Sequence, residues 1–294
     1  MILPAACDDV SHVESEDGTR IALHALGGTG APMLVSHATG FHAHCYEPLV
    51  AALASRHRAW GLDHRGFGDS DAADPSTIEW ATYGDDALAA AREVSRRNDG
   101  APIVGFGHSM GGATLLMAAQ KAPELFRTLF LYEPIVFPPM PPDDGNRPGS
   151  PLPEGARRRR SSFPDFAAAL ENFATKPPMN AFDPRAREAY VRHGFRRTPD
   201  GSVELKCLPE LEARTYETGG RFPEWNSLRD IATPAWVMSG AAHPHQPSGF
   251  THLVAEMLPA STFVRWDEMG HFGPFTHPDA VAAYVDAVLL SVGS

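Results

Sequence analysis

The 294-residue chain has only three cysteines, Cys7, Cys45 and Cys207, too few and too scattered for a disulfide framework or a thiolate metal site. It has no basic excess either. With 25 Lys and Arg against 36 Asp and Glu its net charge is -11, which argues against nucleic acid as a partner, because nothing replaces the counterions around phosphates. The one basic run, Arg157 to Arg160, reads as a solvated helix start. No apolar run approaches a membrane span, and Met1 to Val10 has neither the basic flank nor the apolar stretch of a signal peptide. The expectation is a soluble protein of a reducing, cytoplasmic compartment with no membrane partner. What the chain does have is a 43% hydrophobic content, ample for one large α/β domain or a domain carrying an insertion.

Residues 10 to 26 alternate around Asp17-Gly18, which predicts a hairpin and an antiparallel edge to the sheet. Apolar strand candidates follow at Pro32 to Ser36, Arg58 to Leu62, Pro102 to Phe106, Thr128 to Tyr132, Pro234 to Ser239 and Thr262 to Trp266. Helical stretches lie between and after them at Tyr46 to Ser55, Tyr83 to Arg97, Ala113 to Lys121, Gly249 to Leu258 and Asp279 to Leu290. Strand and helix alternate, so the predicted sheet is mostly parallel with helices on both faces. The alternation breaks from about Phe137 to Arg221, opening on a stretch that contains Pro138, Pro139, Pro141, Pro142, Pro148, Pro151 and Pro153. Residues 138–221 are therefore expected to form an inserted, mainly helical cap, and residues 1–137 with 222–294 the core. The cap is rich in aromatics at irregular spacing; some should face the ligand crevice at the carboxyl ends of the strands.

Residues 105 to 111 read Gly-Phe-Gly-His-Ser-Met-Gly between an apolar run and a helix-like run. This Gly-x-Ser-x-Gly frame in that context is the pattern of a nucleophile elbow, with Ser109 on a tight strand-to-helix turn and Gly107 and Gly111 leaving room for close packing. A serine hydroxyl is a weak nucleophile at neutral pH, so the elbow needs a histidine base and an acid that orients it. Of 14 histidines, His271 stands out, in Gly270-His271-Phe272-Gly273 after the last strand candidate. His243, His245 and His277 sit beside prolines in loops, and the first two make a poor metal site without further partners. No metal and no cofactor is expected.

The leading hairpin, the His37-Ala38-Thr39-Gly40 loop, the Asp63-His64-Arg65-Gly66-Phe67-Gly68-Asp69-Ser70 segment, the elbow, the insertion and the terminal histidine together resemble the α/β-hydrolase superfamily, in its capped, esterase- and lactonase-like branch. The resemblance covers nearly the whole chain. It implies that Ser109, His271 and an acid act as a triad, with the backbone N–H groups of Met110 and Thr39 as the oxyanion hole. That family usually places its acid after the strand before the terminal pair, yet here Ser239 to Gln246 holds no carboxylate. Some capped members carry it after the strand that follows the elbow helix, where this chain has Glu133. A carboxylate ending an apolar strand is costly to bury without a partner such as the His271 N–H, which points the same way. Asp267, Glu268, or a Glu133 that merely caps backbone are the competing assignments. Asp63 and Arg65 are expected to form a structural ion pair.

The function implied is a serine hydrolase that cleaves carboxylic ester or lactone bonds of a small to medium hydrophobic substrate through an acyl-enzyme. Position 109 disfavours the branches that attack with aspartate. Alternatives that keep serine and histidine are carbon-carbon hydrolysis of a diketone, for which the cap offers no clear arginine with a defined partner, or a cofactor-free peroxidase side activity. A receptor that binds its ligand without turnover is the alternative from a different class. Nothing in the pattern marks an oligomer interface.

Overall fold

The computed structural model describes residues 10–139, 150–220, 225–244 and 246–292. Cys7, Pro141, Pro142, Pro148, Arg221 and His245, used in the sequence reading, lie outside that set. Eleven strands run β1 (Val10–Glu14), β2 (Arg20–Gly27), β3 (Ala31–Ser36), β4 (His57–Leu62), β5 (Ile103–His108), β6 (Phe126–Tyr132), β7 (Ser162–Phe163), β8 (Phe195–Arg197), β9 (Val203–Leu205), β10 (Ala235–Ser239) and β11 (Ser261–Arg265). The helices are α1 (Glu47–Leu53), α2 (Trp80–Arg96), α3 (Met110–Lys121), α4 (Leu152–Arg157), α5 (Phe166–Thr175), α6 (Pro184–Gly194), α7 (Pro209–Glu217), α8 (Thr251–Met257), α9 (Gly273–Thr276) and α10 (Pro278–Val292).

Eight strands form one sheet in the order β1-β2-β4-β3-β5-β6-β10-β11. The hairpin strand β2 runs antiparallel to both β1 and β4, and every other pairing is parallel. The strand residues alternate between two apolar layers. Leu34, Leu129, Leu131 and Val237 pack on one face with residues of α2, α3 and α8, whereas Met33, Val35, Phe130, Tyr132 and Met238 pack on the other with residues of α1 and α10. Burial on both faces explains why these strands read as continuous apolar runs. Each fully buried Leu or Phe side chain contributes about 2 kcal/mol by leaving water.

β3 sits where the chain order reverses: β4 flanks it on one side and β5 on the other. The loops after β3 and β5 therefore part at the carboxyl edge and leave the crevice in which open α/β sheets hold ligands. Between β6 and β10 the described residues form α4 to α7 and a three-stranded antiparallel sheet, β7-β9-β8. The sequence reading had this segment as mainly helical. Its strands are two or three residues long, too short to show a period, although Asp200-Gly201 in the β8–β9 connection is a turn signal, with Gly201 at φ +91°. Among the described residues no helix is long and apolar enough to cross a membrane.

The expected Asp63–Arg65 pair is not formed. Arg65 instead bonds to Asp86, at 2.6 Å through Nη2 and 3.0 Å through Nε, and to Asp17 at 2.5 Å. Asp63 accepts from His24 Nε2 at 2.7 Å and from the backbone N–H groups of Ala43 and Asp69 at 2.8 and 2.9 Å. Both side chains do anchor the loop after β4, but against different elements. Both residues lie in the loop beyond β4, where no strand periodicity sets the direction of a side chain, so proximity in sequence does not predict the partner.

His37, His64 and His108 are fully buried beside the carboxyl edge. Burial, which disfavours the charged imidazolium, holds His37 below its ordinary pKa and His64 and His108 well below it. The unfolded chain therefore takes up protons below about pH 6.5 that these rings refuse, so their contribution is full above that pH and lost as pH falls. His24 beside Asp63 shifts upward and offsets one of them. Calorimetry should show the melting temperature falling from pH 7 to pH 5, with a loss of about 1 kcal/mol per pH unit for each ring that stays neutral; a flat profile would contradict the assignment of these rings as neutral.

Candidate active site

Ser109 follows β5 and caps α3 with φ 58° and ψ -117°, a left-handed conformation that costs a non-glycine residue of order 1–3 kcal/mol. Backbone bonds hold it there. The Ser109 N–H donates to Tyr132 O at 2.9 Å, and Ser109 O accepts from Ile135 and Gly112 N–H, each at 3.1 Å. The glycines of the motif have steric reasons. A Cβ on Gly111 would stand 2.0 Å from Ser36 O, and one on Gly107 would stand 2.6 Å from Gly111 O. The turn can be this tight, and α3 can approach β3 this closely, only without side chains at both positions.

The site gathers on loops at the carboxyl ends of β3, β5, β6, β10 and β11. His271 Nε2 lies 3.2 Å from Ser109 Oγ, and His271 Nδ1 lies 2.7 Å from Glu133 Oε2. The other carboxylate oxygen, Oε1, accepts the Gly240 N–H at 2.8 Å. Glu133 is completely buried and itself has positive φ, 42°. Its N–H still donates to Met238 O at 2.8 Å, so the strained residue stays on the β10 ladder while its side chain turns to the loop after β11. Asp267 and Glu268 are exposed on the surface and do not bond to His271. His243 and His277 are likewise exposed and remote from Ser109 in bonding.

Met110 is the first residue of α3, where a backbone N–H has no acceptor inside its own helix. Thr39 is nearly buried and its Oγ1 donates to Met110 Sδ at 3.5 Å, which ties the two loops together. Among the described residues the backbone N–H groups of Met110 and Thr39 have no acceptor, and Met110 directly follows Ser109. A free N–H at a helix N-terminus can receive a negatively charged atom.

The loop bearing His271 is fixed from below by residues that the sequence reading passed over. Tyr132 Oη–H donates to Gly270 O at 2.8 Å, and a Cβ on Gly273 would stand 2.1 Å from Tyr132 Oη. His108 Nε2 donates to His271 O at 2.8 Å, so its Nδ1 is the acceptor for the Tyr46 hydroxyl at 2.9 Å. Tyr46 Oη in turn accepts the Ala38 N–H at 3.1 Å. A single chain of bonds thus runs from the Thr39 loop through two buried rings to the histidine loop. His108 was visible as the residue before Ser109, and only the tertiary fold brings Tyr46 to it.

Elements between β6 and β10 close over this edge. Phe182 and Tyr190 come from that insertion to meet Phe41, beside the Thr39 loop, with ring centroids 5.9 and 5.6 Å apart, and Phe182 lies 5.3 Å from Phe272, beside His271. Gly40 has φ +82°, and a Cβ there would stand 2.6 Å from Glu212 Oε1 of α7. Glu212 pairs with Arg159, which also bonds to the Tyr190 hydroxyl. The sequence reading found no insertion arginine with a defined partner; Arg159 has two. Its pairing with Glu212 cancels its charge, so it is not a free clamp for a substrate carboxylate.

Residues 33–284 match the Alpha/beta hydrolase family. The chain belongs to that family. Among relatives of this α/β hydrolase, human monoglyceride lipase is 29% identical over 133 residues, a match that takes in 44% of this chain and 44% of the lipase; the matched stretch is thus less than half of either protein. Among solved structures, a peroxisomal alpha-beta-hydrolase of Saccharomyces cerevisiae superposes with a TM-score of 0.77 at 17% identity, covering 99% of this chain and 86% of that one. E-2-(acetamidomethylene)succinate hydrolase superposes with a TM-score of 0.73 at 20% identity over 98% of this chain and 100% of that one. These two are likenesses of fold.

The Tyr46–His108 chain makes a checkable claim about the hydrolase. Tyr46→Phe leaves the Ala38 N–H and His108 Nδ1 without partners and loosens two loops at once. The rate at which an alkyl fluorophosphonate labels Ser109 should fall about tenfold, the scale expected of a small misplacement, while the far-UV spectrum is unchanged. A variant that labels at the full rate would reduce the chain to packing.

Proposed function

We propose that this α/β hydrolase cleaves a carboxylic ester or lactone bond of a small to medium hydrophobic substrate through an acyl-enzyme on Ser109. The observation that carries the reading is the unbroken line from Ser109 Oγ to His271 Nε2, at 3.2 Å, and from His271 Nδ1 to Glu133 Oε2, at 2.7 Å. His271 takes the hydroxyl proton at Nε2 as Oγ attacks the carbonyl carbon. Glu133 holds the ring in the tautomer that leaves Nε2 free, and stabilises the imidazolium that forms. The carbonyl oxygen, now an oxyanion, is met by the idle N–H groups of Met110 and Thr39. Collapse expels the alcohol, which takes the proton back from His271. Water, deprotonated by the same nitrogen, then hydrolyses the acyl-serine.

In this reading residues 138–221 are the cap. The aromatic wall of Phe41, Phe182 and Phe272 faces an apolar acyl or alcohol portion, and the neutralised Arg159 asks for no charge on it. A lactone and an open ester pass through the same tetrahedral intermediate and differ only in whether the leaving alcohol stays tethered.

Purified protein assayed against p-nitrophenyl esters of graded chain length and a small lactone panel should turn over. Ser109→Ala should abolish that turnover with fold intact. Glu133→Gln should lower kcat by about 10³- to 10⁴-fold, as loss of an orienting acid does. Turnover that survives Ser109→Ala would overturn the assignment. One round of labelling at Ser109 without turnover would favour the receptor alternative instead.

A further inference from the structure

A polar cluster from the insertion stands against Gly40, the residue after Thr39. A Cβ on Gly40 would lie 2.6 Å from Glu212 Oε1 and 3.5 Å from Arg159 Nη1. The Arg159 guanidinium forks, Nη1 donating to Glu212 Oε2 and Nη2 to the Tyr190 hydroxyl oxygen. The Tyr190 ring meets Phe41 with 5.6 Å between centroids, so the cluster borders the aromatic wall. Glu212 and Tyr216 are four residues apart on α7 and therefore share one of its faces.

Hydrogen-bond accounting leaves this cluster with capacity of both kinds. Among the described residues Glu212 Oε1 accepts no hydrogen bond, although Glu212 is only 6% exposed. The Tyr190 oxygen already accepts from Arg159, so its O–H proton points elsewhere, and none of the described residues accepts it. Tyr216 Oη has no hydrogen-bond partner among them either.

These groups do not lie on the outer surface. Burial first, and the Glu212 charge next, hold the Tyr216 hydroxyl above its ordinary pKa, and burial does the same to the thiol of Cys207. Both residues are nevertheless half-buried rather than closed off. A group that is surrounded by protein and still reaches space lines a cleft, and this one opens beside the loop that carries Thr39.

Two O–H donors and one carboxylate oxygen, none of them used within the protein, define what fits. A carbonyl could satisfy only the donors. A hydroxyl satisfies both sides, giving its proton to Glu212 Oε1 and accepting a tyrosine O–H on its lone pairs. The charges of Arg159 and Glu212 cancel, so neither a carboxylate nor an ammonium group is drawn in.

We propose that Glu212 Oε1 and the Tyr216 hydroxyl, with Tyr190 and Arg159 beside them, bind a hydroxyl group carried by the substrate. This rests on the ester- and lactone-hydrolase reading and narrows it: the preferred substrate is apolar against Phe41, Phe182 and Phe272 and bears one alcohol group where the insertion meets Gly40. A site built to hydrogen-bond a hydroxyl discriminates against the analogue that lacks it, because the site's own polar atoms are then left unpaired. In sequence Tyr216 is one of the irregularly spaced aromatics of the insertion, and only the packing of α7 on Gly40 gives it this role.

Two pairs of esters test this on the full chain. Ethyl 3-hydroxybutanoate is compared with ethyl butanoate, and 2-hydroxybutyl butanoate with butyl butanoate, which places the hydroxyl on the acyl side in one pair and on the alcohol side in the other. In one of the pairs kcat/KM for the hydroxylated ester should exceed that for its partner by about tenfold or more. Tyr216→Phe removes a single unbonded oxygen and should bring that ratio to about one. Turnover of the plain esters reports the Ser109 chemistry by itself, so the two readings fail separately. If no ester turns over, the same ratio is read as Kd by calorimetry on Ser109→Ala protein, with and without Tyr216→Phe. Ratios within about twofold in both pairs, or a ratio that Tyr216→Phe leaves unchanged, overturn the proposal.

Discussion

Everything at the carboxyl edge depends on one buried carboxylate. Glu133 has no exposure to water, and an ionised group in that position is tolerated only when its oxygens are satisfied. Two donors do this, the Gly240 N–H from the loop after β10 and His271 Nδ1 from the loop after β11. The carboxylate at the end of β6 thus draws the next two strands' loops toward the elbow, and the imidazole it fixes reaches Ser109. Removing the charge would release the ring and unpair a backbone donor in the same step.

The sheet order makes such convergence cheap in chain length. β5, β6, β10 and β11 are neighbours in that order, so the elbow, the acid, its second donor and the histidine sit on successive loops. β3 borders β5 on the far side, which brings Thr39 to Met110. The strain at Ser109 and Glu133, both at positive φ, is held by bonds from adjacent strands rather than by the loops themselves. Beneath them the Tyr46–His108 pair links the Thr39 loop to the His271 loop, so the two loops share one support.

How much of this could be read from the chain follows from how local each feature is. Ser109 and its two glycines occupy one turn, and the turn carries its own signal. The strands of the large sheet are buried on both faces, so each is an apolar run that needs no partner to be seen. Glu133 was reached indirectly, through the missing carboxylate between Ser239 and Gln246 and the cost of ending an apolar strand on a charge. Asp63 and Arg65 take partners other than each other because they lie in the loop beyond β4, where spacing in sequence does not set side-chain direction. Tyr46, Arg159 and the short sheet β7-β9-β8 were missed for a related reason. Their roles exist only in contacts across the fold, and pieces of two or three residues are too short to carry a period.

A covalent acyl group on Ser109 is tested most directly by a rapid-quench reaction with a p-nitrophenyl ester followed by intact-mass and peptide analysis. A burst of about one p-nitrophenol per chain is expected, with the acyl mass on the peptide that contains Ser109. Steady release with no adduct, or an adduct on another residue, would contradict it.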